Sequence, residues 1–162
     1  MTGPLPDLPG NALDDARTLL YAELLVTFER VGWSTEGRVH EYPVITPATP
    51  GAWVDAPTLA TQGAGLVATF ALGVVVDGNE RSQVARLDAL VAILWERLED
   101  VKIPAGLTLT EGSTLQVATA GPEPFDIGGG PTTRSIALTV QVPVARRTLC
   151  PTALTTPGDP QP

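Results

Sequence analysis

The segment Gly65 to Asp77, GLVATFALGVVVD, restricts the fold more than any other stretch of this chain. Leu66, Ala68, Phe70, Leu72, Val74 and Val76 line one face of an extended strand. Val67, Thr69, Ala71, Gly73 and Val75 line the other, which is nearly as apolar. Such a strand must be covered on both sides, by its own chain or in an assembly. Its apolar run ends at Val76 after 12 residues, short of the roughly 18 that a helical membrane span requires. No membrane partner is expected.

A helix is predicted on either side of that strand. Downstream, Glu80 to Val101 repeats Val84, Leu87, Val91, Leu94, Leu98 and Val101 at alternating spacings of three and four, one apolar stripe that Leu90 and Trp95 widen. Its back carries Ala85, Ala89, Ala92 and Ile93, small enough for a neighbouring element to come close. Upstream, Asn11 offers an N-cap, Asp14 and Asp15 suit the positive end of a first turn, and Gly32 supplies a stop. The helix between them, Ala12 to Val31, has Leu13, Ala16, Leu20, Leu24 and Val31 on one side and Leu19, Ala22, Leu25 and Val26 on the other. A surface helix of a monomer would be polar on that second side. Leu19, Ala22 and Val26 are therefore expected at a subunit interface.

Shorter strands fill the rest. Arg38 to Thr46 is a loose strand that Pro43 places at an edge, and Pro47 to Gly63 reads as loop broken by Ala52-Trp53-Val54. Leu107 to Thr110 and Thr114 to Thr119 form a hairpin across Glu111-Gly112-Ser113; Gly121 to Arg134 is a Pro/Gly-rich excursion; Ser135 to Ala145 is a final strand. The expected architecture is α+β, a mostly antiparallel sheet with two helices packed on one face. Residues 1–10 form an extended N-terminal arm, 11–147 a single domain, and 148–162 a Pro-rich C-terminal tail.

Composition removes several functions. With 162 residues a single core suffices. Ten Lys and Arg against 18 Asp and Glu leave a net charge of −8, and Lys102 is the single lysine, so no basic face exists to bind nucleic acid by counterion release. One cysteine, Cys150, permits no internal disulfide, and with one histidine, His40, it cannot build a zinc site. The N-terminus lacks the basic and apolar regions of a signal peptide. A soluble, acidic, intracellular protein is expected.

Catalytic patterns are missing as well. Gly-x-Ser-x-Gly is absent, no serine lies near His40, and Gly128-Gly129-Gly130 has no strand-to-helix context for cradling phosphate. His40 reads as a strand residue with a local hydrogen bond. Cys150 sits beside Pro151 with no flanking Lys or His to activate it. Glu96, Glu99 and Asp100 read as a solvated helix face. No catalytic residue, metal or cofactor is expected. Trp33 and Trp53 stand just outside regular elements, where an indole anchors a core or, in the other reading, an interface. Phe125 joins them as an interface candidate. Arg146-Arg147, past the last strand, reads as an edge-blunting pair or as a partner for an acidic neighbour.

Four segments carry a resemblance: NALDDARTLLYAELLVTFERVG, GLVATFALGVVVDG, ERSQVARLDALVAILWERLEDV and TTRSIALTVQVPVARRT, together most of Asn11 to Thr148. In element order, length and flavour the chain resembles the tail-terminator and head-to-tail neck proteins of long-tailed bacteriophages. The resemblance implies a non-catalytic virion structural protein, a small α+β subunit of a hexameric ring that ends tail-tube polymerisation. Its partners would be further copies, the tail tube protein and the neck stopper or adaptor, in a virion assembled in the host cytoplasm. DNA would pass through the lumen without specific binding, since an acidic wall repels phosphate. The alternatives are another neck ring (stopper or adaptor), a small soluble ligand-binding module, or an enzyme.

Overall fold

A computed structural model describes residues 11–63, 65–101, 115–122 and 133–144. Helix α1, Ala12–Arg30, starts where expected: the Asn11 side chain accepts a hydrogen bond from the Asp14 backbone N–H at 3.0 Å. It ends at Val31, with Gly32 at φ +83° turning the chain out of the helix. Helix α2, Arg81–Asp100, is one residue shorter at each end than its apolar stripe suggested. Both helices, through Ala16, Leu20, Leu24 and Phe28 of α1 and Leu87, Leu90, Leu94 and Leu98 of α2, enter one hydrophobic cluster.

The long strand β4, Gly65–Asp77, has the bounds its pattern dictates and is the centre of the sheet. Its even-numbered residues Ala68, Phe70, Leu72, Val74 and Val76 are buried in the cluster the helices share. Along one edge it pairs antiparallel with β6, Thr133–Val144, from Leu66↔Val144 to Asp77↔Thr133, and β6 contributes Leu138, Val140, Val142 and Val144 to the same core. Strand β5, Gln116–Pro122, pairs antiparallel with β6, with an irregularity between Val117 and Thr119. The other edge of β4 is shared by two short strands in succession: β2, Gly51–Val54, beside Leu72–Val75, and β3, Thr58–Gln62, beside Gly65–Thr69. Between β3 and β4 only two residues remain, and Gly63 at φ +59° makes that tight reversal. The fold is α+β: the described residues form a six-stranded, mostly antiparallel sheet and two helices.

Three expectations change. The strand over Arg38 to Thr46 shrinks to β1, Val39–His40, which pairs parallel with β2. Past it, a side chain rather than a ladder satisfies the Glu41 carbonyl: Arg17 donates to it at 2.6 Å. Within the loop expected over Pro47 to Gly63, the Ala52-Trp53-Val54 piece becomes β2, and a strand that was not expected, β3, follows it, because the residues beside β4 complete its ladder. The final strand starts at Thr133, two residues earlier than expected, as register with Asp77 demands. Of the hairpin over Leu107 to Thr119, the first arm lies outside the described residues and the second begins β5 at Gln116.

Candidate interaction surfaces

Charge is distributed unevenly between the two layers. Each helix carries four acids: Asp14, Asp15, Glu23 and Glu29 on α1, and Asp88, Glu96, Glu99 and Asp100 on α2. Strands β2, β3 and β5 carry no ionisable residue; β4 has only Asp77, at its last position, and β6 only Arg134, near its first.

The outer face of the sheet, turned away from the helices, is built from the odd-numbered residues of β4 and β6. Val67, Thr69 and Ala71 stand beside Pro143, Gln141 and Thr139, all half-buried. Gln116 of β5 lies opposite Gln141. With Gln62, Val67 and Pro143 these two glutamines line a shallow depression of about 100 Å³. Further along, Trp53 of β2 is Gly73's direct partner and only 3% exposed. A β-carbon on Gly73 would fall inside the indole, so this close approach requires glycine.

The helix layer holds the polar contacts that sequence reading missed. Arg17 is 8% exposed, yet its guanidinium donates to the carbonyls of Glu41 at 2.6 Å, Val54 at 2.8 Å and Asp55 at 3.4 Å. It also lies 4.6 Å from the Tyr42 ring centroid and 5.8 Å from that of Phe70. This one side chain fastens α1 to the end of β2 and to the segment after β1. The signal was present: Arg17 stands four residues after Leu13 and three before Leu20, a cation on an apolar stripe. Glu23, also buried, pairs with Arg97 of α2 at 2.7 Å and ties the helices together. Near that pair an open groove of about 320 Å³ is lined by Arg30, Glu96, Arg97, Asp100 and Val101. Its mixed charges select no single class of ligand.

The interface candidates fall into three groups. Ala22 is exposed, Val26 is 36% exposed and Leu19 is half-buried against the core, so α1 brings them together along its outer side. Trp33 is buried, its ring 5.1 Å from that of Phe28 in an edge-on arrangement, and Trp53 is buried on the opposite side of the sheet; neither joins the α1 group. Phe125, Arg146 and Arg147 lie outside the described residues, as does Cys150. His40 is half-buried on β1. Among the described residues no three His, Cys, Asp or Glu side chains gather where they could hold a metal ion, and no helix is long and apolar enough to cross a membrane.

No protein-family model matches the chain, and no curated protein matches it. Among solved structures, the chain is similar to one from the virion of a native gene transfer agent (GTA) particle, with a TM-score of 0.50 and 20% sequence identity. The similarity covers 83% of this chain and 98% of that one. At this identity the likeness is one of fold.

Proposed function

We propose that this chain is a non-catalytic structural protein of a phage-like virion, and within that class a tail terminator. The observation that carries the reading is the extent of the fold similarity: 98% of a chain from a virion particle is matched, so the likeness is to a whole subunit and not to a common supersecondary fragment. The order of elements that resembles phage neck proteins supports it independently.

In this reading copies of the domain, residues 11–147, form a hexameric ring that caps the tail tube and joins it to the neck stopper or adaptor. DNA passes through a lumen whose acidity keeps phosphate from sticking. The expected arm 1–10 and tail 148–162 lie outside the described residues; in this reading they would run along neighbouring subunits, offsetting their ordering entropy with new contacts. Electron microscopy of the purified protein tests the reading: a six-fold annulus with a hole wide enough for duplex DNA is expected. A field of single 16.9 kDa particles overturns it.

A further inference from the structure

We infer that in the free chain the outer edge of β3 is covered by the chain's own C-terminal segment 152–156, TALTT, as one further antiparallel strand of the sheet. Residues 145–162 lie outside the described residues, and the inference rests on what the described ones present to them.

Strand β3 is laid out to receive a strand. All five of its residues are exposed, and Leu59, beside Ala68 on the face that holds the core, is 41% exposed. It pairs with β4 on one side and, among the described residues, with no strand on the other. Edge strands are ordinarily protected by charge, proline or a bulge. Thr58–Gln62 has no charge and no proline, and its register against β4 is continuous. The two-residue turn closes on a hydrogen-bonded pair, Gln62 with Gly65, so alternation turns the Leu59 N–H and C=O towards the outer edge.

The rest of the chain starts in reach of that edge. β6 ends at Val144 beside Leu66, and Leu66 has Thr61 of β3 on its other side. Residues 145–162 therefore leave the sheet at the end where the β3–β4 hairpin turns. A strand beyond β3 lies three strand spacings from β6, about 14 Å. The seven residues 145–151 span up to about 23 Å when extended, enough to pass round the turn. Returning from that end, the segment runs antiparallel to β3. The spatial order of segment, β3, β4 and β6 is then that of a Greek key.

The sequence of the segment matches the site. Pro57-Thr58-Leu59-Ala60-Thr61 and Pro151-Thr152-Ala153-Leu154-Thr155 hold the same residue types. Five residues separate Pro151 from Pro157, the length of β3. Matched end to end, Leu154 lies opposite Ala60 and Thr155 opposite Leu59. Prolines at both ends suit a strand that takes no further neighbour.

Charge and tethering select the chain's own segment over that of another copy. Residues 1–144 hold 17 acids against 8 Lys and Arg, a charge of −9. Residues 145–162 hold Arg146, Arg147 and Asp159, a charge of +1, and are drawn to that body. Two whole copies at −8 each repel. A short tether also keeps the segment at an effective concentration of about a millimolar. In the ring reading, assembly would hand the segment to a neighbour, but the inference concerns the free chain and does not need the ring.

Hydrogen exchange followed by NMR on the full-length protein tests this. Thr155→Pro removes the donor to the Leu59 carbonyl, so the Leu59 amide should exchange at least about tenfold faster than in the parent, with α1 and β6 unchanged. A second measurement uses Cys150→Ser as background. Ala60→Cys with Leu154→Cys should close an intrachain disulfide far faster than Ala60→Cys with Gln161→Cys. Equal exchange at Leu59 in parent and variant overturns the inference. Protection of Leu59 that vanishes on dilution assigns the strand to another copy and overturns it too. If Thr155→Pro loosens the whole molecule, the disulfides decide, and equal closure of the two pairs is the overturning result.

Discussion

At the scale of single residues, two positions hold more of the structure than their type suggests. Gly73 lies beneath the Trp53 indole, and any β-carbon there must displace the ring. Gly73→Ala should therefore lower the unfolding free energy by about 1–3 kcal/mol in urea titrations, despite the better intrinsic behaviour of alanine in a strand. Arg17 is the other. Replacing it with methionine keeps the bulk of the stem but strands the carbonyls of Glu41 and Val54, each costing about 1–3 kcal/mol if left unpaired. Arg17→Met should destabilise by more than about 2 kcal/mol in the same titration. Arg17→Lys should recover only part of the loss, because an ammonium cannot fork between diverging carbonyls as a guanidinium does. An Arg17→Met protein as stable as the parent would mean that water replaces the guanidinium.

At the scale of elements, helices and strands differ in what makes them form. Helix α1 is set locally, so losing its cap should register directly: Asn11→Ala should cost about 0.5–2 kcal/mol, measured as a fall in thermal midpoint, and Asn11→Asp should not. Both helices and β4 were legible in the sequence for this reason. The stop at Gly32, the three-four stripe of α2 and the unbroken apolar run of β4 are each contained within their own segment. Strand β2 was legible only as the short piece Ala52-Trp53-Val54, and β3 was not legible. Their residues, GAWV and TLATQ, carry little intrinsic signal and lie among prolines; they become strands because one edge of β4 offers them unpaired backbone groups. The same asymmetry governs the candidate surfaces. The apolar residues Leu19, Ala22 and Val26 on the outer side of α1 could be read from a helical wheel. The neutral outer face of the sheet could be recognised only once register had placed Gln141 opposite both Thr69 and Gln116.

At the scale of the whole molecule, truncation tests what the C-terminal segment does. Removing Leu149 to Pro162 should weaken attachment to an adjoining ring more than it lowers the subunit's own melting temperature; a sharp fall in melting temperature with assembly untouched would place that segment in the core. The triple substitution His40→Ala, Glu41→Gln and Cys150→Ser should leave tail joining near the parental level, since no chemistry is assigned to those groups. One feature of the sheet also governs how the molecule comes into being. The β3–β4 hairpin closes across two residues, whereas the β4–β6 seam joins strands whose ends, Asp77 and Thr133, are 56 positions apart. Closing a loop of that length costs about 3.5 kcal/mol of chain entropy before the first rung of the ladder forms. Hairpins form in microseconds and long-range antiparallel pairing far more slowly. During synthesis, β4 therefore waits with an open apolar edge until β6 leaves the ribosome, and strangers can pair with it in that interval. Refolding yield should fall as protein concentration rises, even where equilibrium stability is unchanged, and dilution alone should restore it.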